Sequence, residues 1–306
     1  HAARRKTTTR RKRGGILGFF GGLVRWIFRL IWRVTLSATV VVALILGAAV
    51  LYVYNTLPEL NTLLDGRARG SVTLLDRNGD VFALRGDQFG GVVTAETVSE
   101  HLKNAVVATE DRRFYWHFGV SPRGVASAVR INLREGRGPL SGHGGSTITQ
   151  QTAKLVCLGV KYDPDVWKSE ADYVSDCRAS SLTRKAREAI YAIAMEAKYT
   201  KNEILSIYLN RAYMGGGAYG AEAASQRYFA KPAAALNPAE AAMLAGLLTA
   251  PSVLAPTSNL KASQDRAATV LRLMYDQGYL SEAEMRQYQD DPAVLSSGAQ
   301  QLGGGY

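Results

Sequence analysis

Ten residues carry the densest chemistry in the chain: Glu110-Asp111-Arg112-Arg113-Phe114-Tyr115-Trp116-His117-Phe118-Gly119. Two adjacent carboxylates, two arginines, an aromatic block and a histidine can supply a proton acceptor, forked anion donors and a stacking surface. About 25 residues further on, Gly144-Gly145-Ser146-Thr147-Ile148-Thr149-Gln150-Gln151 adds small residues and neutral hydrogen-bonding groups.

The element that must hold Glu110 is a helix. Thr97-Val98-Ser99-Glu100 reads as a capping box, and Leu102, Ala105, Val106 and Ala108 give the following turns an apolar face. Its C-terminal end delivers Glu110 and Asp111, where the partial negative charge of the helix disfavours further anions. Arg112 and Arg113 offset part of that charge, and a carboxyl left uncompensated becomes easier to protonate, which suits a general base. The same residues also fit a charged helix end laced by structural salt bridges, and this stretch alone leaves both readings open.

The 306 residues carry a formal net charge of +11, and their 47% hydrophobic content is enough for a real core. The charge is uneven. Residues 1–33 hold ten basic side chains and no acidic one, leaving a net of +1 for the rest, so the high pI does not make the folded part a nucleic-acid binder. The first residue is histidine, as expected of a processed or truncated stretch of something longer.

Residues 1–15 read as a disordered basic arm. Phe19, Phe20, Trp26, Phe28 and Trp32 then alternate with Arg25, Arg29 and Arg33, whose spacing of four puts the arginines on one helical face, fit for anionic headgroups. Val34 to Tyr54 is a run of 21 uncharged, mostly apolar residues, about 31 Å as a helix and long enough to span a bilayer. With the basic residues on its N-terminal side, the arm is expected in the cytoplasm and everything after Tyr54 outside. The expected division is therefore a basic arm and juxtamembrane segment over 1–33, a transmembrane helix over 34–54, and a linker with a β-hairpin over 55–90. A folded domain over 91–290 and a C-terminal linker over 291–306 complete it.

The hairpin is expected within Ser71 to Leu84, with Asn78-Gly79 as its turn. From Thr94 onward the signals are helical: Ser121-Pro122 as cap and first position, capping boxes at Thr200-x-x-Glu203 and Ser281-x-x-Glu284, and a start at Asn237-Pro238-x-Glu240. Five glycines and a proline over Gly136 to Gly145 predict a mobile flap, with an ordinary exposed loop as the alternative. Cys157 and Cys177, the only cysteines and both on the external side, are expected to form a disulfide stabilising the fold by roughly 3 kcal/mol.

The pattern Glu-Asp-x-x-Phe-x-x-His-x-Gly at 110–119, followed by Gly-Gly-Ser-Thr-Ile-Thr-Gln-Gln-x-x-Lys at 144–154, resembles the peptidoglycan glycosyltransferase family, the module of bifunctional class A penicillin-binding proteins and monofunctional transglycosylases. Three more blocks agree in order: Arg184-Lys185-x-x-Glu188, Lys201-x-x-Ile204-Leu205-x-x-Tyr208-Leu209-Asn210, and Tyr228-Phe229-x-Lys231. The resemblance covers roughly residues 70–290. Residues between Lys154 and Arg184 depart from the family pattern, which leaves the alignment of Arg178 open.

The resemblance implies a mainly α, lysozyme-like helical domain behind a short β-hairpin and one membrane helix. It implies polymerisation of a lipid-linked disaccharide-pentapeptide, lipid II, into glycan strands by inverting transfer, with a polyprenyl pyrophosphate leaving. Glu110 would be the base and Glu188 the second carboxylate, acting on the leaving pyrophosphate directly or through a metal. Lys154, Arg184, Lys185 and Arg187 would bind phosphate, whose recognition favours clustered cations and forked donors. Ser146, Thr147, Gln150, Gln151, His117 and Asn210 would position substrate oxygens, and Glu196 would be structural. No cofactor is certain, Mg or Mn being the open option. The partners implied are lipid II, the growing glycan strand and the membrane, without nucleic acid, and with cell-wall synthesis or division proteins as further candidates. The expected location is the inner membrane, single-pass, with the catalytic domain outside.

Three other matches carry no function. Gly215-x-Gly217-x-x-Gly220 follows a helix rather than a strand, Asp163-x-Asp165 lies in the departing segment, and Ser258-x-x-Lys261 lacks the other transpeptidase motifs. A lysozyme-like hydrolase or lytic transglycosylase would also use a carboxylate near a helix end, but a phosphate-binding cation cluster has no role there. An inactive membrane-anchored scaffold would not need Glu110, Glu188 and Lys154 intact.

Overall fold

The structure, a computed structural model, describes residues 16–64, 72–75, 77, 81–85, 88–138, 145–179 and 181–298. The chain divides into two compact units, residues 1–49 and 50–306.

The described residues of the first unit lie in helix α1 (Ile16–Thr56), whose residues from Val50 onward belong to the second unit. The helix begins well before the 34–54 stretch read as the span, because no proline interrupts it and Arg25 bonds back to the carbonyl of Gly21 at 3.0 Å. Phe28, Trp32 and Leu44 are among its exposed apolar residues. Phe20–Thr56 is long and apolar enough to cross a membrane.

The second unit continues with α2 (Leu60–Leu64) and an antiparallel pair, β1 (Val72–Leu75) and β2 (Val81–Arg85). The expected Asn78-Gly79 turn between them lies outside the described residues. Strand β3 (Gln88–Phe89) leads to α3 (Glu100–Glu110). The capping box expected at Thr97-x-x-Glu100 does not form: the Thr97 hydroxyl accepts from Thr94 N at 2.8 Å in a turn, and the helix starts later, with Ser99 as its N-cap and the Ser99 hydroxyl donating to the carbonyl of Leu236 at 2.7 Å.

After a 3-10 turn over Phe114–Trp116 come α4 (Pro122–Arg134), α5 (Ile148–Leu155), α6 (Glu170–Arg178), α7 (Leu182–Lys198) and α8 (Lys201–Arg211). Of the expected flap, residues 139–144 lie outside the described set. Then β4 (Ala218–Tyr219) pairs in parallel with β3 and precedes α9 (Ala221–Phe229). The rest is α10 (Pro238–Leu247), α11 (Pro251–Leu254), α12 (Leu260–Asp276) and α13 (Glu282–Asp290). The boxes at Thr200 and Ser281 close as read, the start at Asn237 closes a box as well, and Ser121 accepts from Gly124 N ahead of Pro122.

Two buried helices hold the architecture together. Helix α10 is apolar on every side and buried from Ala241 to Leu247, as a helix must be when it has no polar face, and it packs on α3 and α12. Helix α8 is buried from Ile204 to Asn210 and packs on α5 and α7. Each large apolar side chain buried this way contributes about 1.5–3 kcal/mol. One scaffold therefore fixes the helix that ends at Glu110, and the other fixes the helices that carry Lys154 and Glu188.

Candidate active site

Glu110 ends α3 as a carboxylate largely withdrawn from water, and its pKa is raised. Burial is the largest cause; the neighbouring Asp111 adds to it, while the Gln151 hydrogen bond and the charges of Arg266 and Lys154 oppose it. The direction agrees with the sequence reading, but desolvation, which helix-dipole reasoning leaves out, is the main agent. Gln151 donates to Glu110 Oε2 at 2.9 Å, and behind it the hydroxyl of the fully buried Tyr208 donates to Gln151 Oε1 at 3.4 Å. One carboxylate oxygen is thus oriented by a relay from the core.

Helix α5 sets the rest of the site, and its fixings explain the chemistry of the 144–154 block. Asp111 Oδ2 accepts from the backbone N of Ile148 at 3.1 Å and pairs with His117 Nε2 at 2.8 Å, an anion placed at a helix N-terminus. Thr147 and Gln150 close a capping box, and the Thr147 hydroxyl donates to the carbonyl of Gly119 at 2.5 Å. Thr149 donates to Glu196 Oε1 at 2.6 Å, which also takes Lys201 Nζ at 2.7 Å, tying α5 to α7 and α8. Gln151 and Lys154 are three apart on α5 and so share a face. The Glu110 contact therefore continues along α5 to Lys154.

At that end the cations gather. Glu188 is 4% exposed and lies against Arg184 Nη1, with Lys185 Nζ at 3.2 Å from its other oxygen. Lys154, Arg184, Arg187 and Glu188 line one small cavity. The Lys154 pKa is lowered, first by burial and then by Lys185, Arg184 and Arg178, with Glu188 opposing. A desolvated cation cluster with a single carboxylate is an anion site waiting for charge.

The second concavity, a cleft of about 460 Å³, has Glu110 itself in its wall, together with Arg112, Arg113, Arg123, Ser121 and Ser146 among others. Ser146 connects the two regions, since Lys185 Nζ donates to its hydroxyl at 2.7 Å.

The structure brings Glu110, Gln151, Lys154, Arg184, Lys185, Arg187, Glu188 and Ser146 together. Thr147, Gln150 and the Nε2 of His117 help to hold α5 and the 110–119 turn, while His117 Nδ1 is buried without a hydrogen-bond partner among the described residues. Asn210 lies elsewhere: it is buried, accepts from Val93 N at 3.1 Å and donates to Val93 O at 2.6 Å, tying α8 to the strand side of the fold. Sequence reasoning missed Arg123, Tyr208 and Arg266. Arg123 follows a helix cap and was visible as a cation at an N-terminus, but Tyr208 and Arg266 reach Glu110 only through tertiary packing. Among the described residues no three His, Cys, Asp or Glu side chains cluster. Glu188 has both oxygens engaged by cations. The donor set therefore does not fit a resident metal.

A mainly helical domain that sets a desolvated carboxylate beside a buried cation cluster has the parts of an enzyme, a proton acceptor next to a group of anion-binding side chains. The family model described as Transglycosylase matches residues 79–275. Penicillin-binding protein 1A of Aquifex aeolicus is 35% identical over 84% of this chain and 33% of its own length. That of Escherichia coli K12 is 34% identical over 77% of this chain and 25% of its own length. A crystal structure of penicillin-binding protein 1A from Haemophilus influenzae aligns at a TM-score of 0.40 and 23% identity, over 74% of this chain and 22% of that one. The chain spans a quarter to a third of the length of these two curated relatives. It belongs to the transglycosylase family, the glycosyltransferases of peptidoglycan assembly.

Proposed function

We propose that the chain polymerises lipid-linked disaccharide-pentapeptide into glycan strands, releasing polyprenyl pyrophosphate. The observation that supports this is that α5 carries Gln151, which bonds to Glu110 of α3, and about one turn later Lys154, which shares a cavity with Arg184 and Glu188 of α7. Glu110 accepts the proton of the acceptor sugar hydroxyl, whose oxygen bonds to the donor's anomeric carbon from the face opposite the phosphate. The bond from that carbon to the phosphate oxygen breaks, inverting the centre, and its electron pair leaves on the pyrophosphate. Lys154, Arg184 and Lys185 hold that charge as it grows, and desolvation makes their interaction stronger than it would be in water. Glu188 keeps Arg184 and Lys185 in place against one another. The cleft lined by Arg113 and Arg123 takes the other sugar-phosphate unit.

Anchored by the apolar helix, with the N-terminal arm inside, the catalytic unit stands outside the cytoplasmic membrane, where the lipid-linked substrate is presented. The exposed aromatics Tyr115, Trp116 and Phe118, next in sequence to Glu110, suit contact with that lipid. The test is incubation of the purified chain with lipid-linked precursor, following polymer length on gels and polyprenyl pyrophosphate by chromatography. Stoichiometric appearance of both supports the reading; cleavage of finished glycan without polymerisation refutes it.

A further inference from the structure

The fixings of α5 at its N-terminal and central turns are made by motif residues. The one at its C-terminal turn, next to Lys154, is made by the segment that departs from the family pattern. Cys157 and Cys177 are joined in a disulfide, with Cα atoms 5.8 Å apart. Both cysteines line the same small cavity as Lys154, Arg184 and Glu188. One residue past Cys177, Arg178 Nη2 donates to the carbonyl of Leu155 at 2.8 Å, capping a carbonyl that the end of α5 leaves without a helical partner.

The loop between the cysteines is built to hold that arrangement. Cys157 adopts a left-handed backbone at φ +51°, which turns the chain off α5 toward α6. Gly159 follows at φ +80°, where an added Cβ would lie 2.7 Å from the ring of Tyr191 on α7. Tyr173 donates to Val160 O at 2.5 Å, Trp167 donates to Asp176 at 3.2 Å, and the Trp167 and Tyr173 rings meet edge to face at 5.2 Å. The lobe is thus an ordered buttress on the cation cavity.

We propose that the disulfide-closed lobe is a positioning element of the diphosphate site: Cys157–Cys177 and Arg178 pin the last turn of α5 so that Lys154 is held among Arg184, Lys185 and Glu188. This deepens the reading above and rests on it for the identity of the ligand. Opening the bridge leaves α5 fixed at its N-terminal and central turns and free at the turn that carries Lys154. Anion engagement then weakens, while the proton acceptor, held by Gln151 further up the helix, stays in place. The signature is a rise in KM for the lipid-linked donor, and in Kd for inorganic pyrophosphate, of about tenfold, the size expected from loss of one charge-assisted contact. The effect on kcat is smaller.

The experiment compares the oxidised chain, the chain reduced with dithiothreitol, which is itself oxidised as the bridge becomes two thiols, and the double variant Cys157→Ser/Cys177→Ser. Arg178→Gln is the fourth arm, with the bridge intact. Each is assayed for polymerisation and for pyrophosphate binding by calorimetry, well below its melting temperature. Higher KM and Kd in the last three arms, with dithiothreitol inert on the double variant, is the expected result. A lower melting temperature with unchanged KM and Kd would overturn the proposal and leave the bridge a simple stabiliser. Should the reduced and serine forms unfold, Arg178→Gln decides alone, and wild-type Kd and KM in it refute the proposal. Failure of the function reading looks different: the oxidised chain then makes no polymer, while pyrophosphate binding still reports on the lobe.

Discussion

Lys154→Met separates what the site does for binding from what it does for the fold. Methionine keeps the unbranched stem that packs into the cavity and removes the charge. In the free protein that charge is unwelcome: burial, Lys185, Arg184 and Arg178 all depress the lysine's pKa, and the opposing Glu188 is already engaged by two other cations. A lysine whose pKa is depressed on folding costs stability wherever it is protonated in both states. That cost is full below the depressed value and disappears as pH rises through the ordinary lysine range. The variant should therefore melt at or above the wild-type temperature at neutral pH, with the difference fading in alkali. Binding should move the other way. Hydrogen bonds to a charged group contribute roughly 1.5–3 kcal/mol, so pyrophosphate affinity should fall roughly ten- to hundredfold. Paired calorimetric titration and thermal denaturation read both quantities on one preparation. A variant that is clearly destabilised yet binds pyrophosphate like wild type would refute the reasoning and make Lys154 a structural residue.

Three further outcomes are expected. The pH–rate profile should be a narrowed bell: its acid limb above the ordinary carboxylate range, because Glu110 must be ionised and its pKa is raised, and its alkaline limb below the ordinary lysine range. An acid limb at an unperturbed carboxylate value would point to another base. Gly119→Ala should cost more than about 2 kcal/mol by denaturant titration, since an L-residue at φ +76° is strained and its Cβ would lie 2.7 Å from the Ala192 backbone; wild-type stability would contradict this packing of the 110–119 turn on α7. Finally, Ser71→Cys should react with an impermeant thiol reagent added outside intact cells, and reaction only after permeabilisation would reverse the topology.

Local rules were enough where the structure is local. The boxes at Thr200 and Ser281 and the starts at Ser121-Pro122 and Asn237-Pro238 all follow from residues a few positions apart and appear as read, whereas the apolar run after Val34 sits inside a helix that begins at Ile16. The capping box read at Thr97-x-x-Glu100 failed because the Thr97 hydroxyl is taken by the turn at Thr94 and the helix begins at Ser99 instead. The site divides in the same way. Glu110, Lys154 and Glu188 stand out by type and spacing, but their coupling does not: Tyr208 reaches Glu110 through Gln151 across 57 residues, and Arg266 acts on it from α12. For Thr147, Gln150, His117 and Asn210 the sequence shows hydrogen-bonding groups but not their partners in the fold, which for Asn210 are the backbone of Val93 and Ser206.

The most direct measurement is the initial rate of glycan polymerisation by Glu110→Gln beside wild type, on the same lipid-linked precursor, with pyrophosphate affinity measured in parallel. Glutamine keeps the size and the hydrogen bond to Gln151 but cannot take the hydroxyl proton, so the rate should fall about a hundred- to ten-thousandfold while pyrophosphate binds as before. Polymerisation at near the wild-type rate would contradict the account, making Glu110 a structural helix-end carboxylate and moving the search for the base to Asp111 and Glu188.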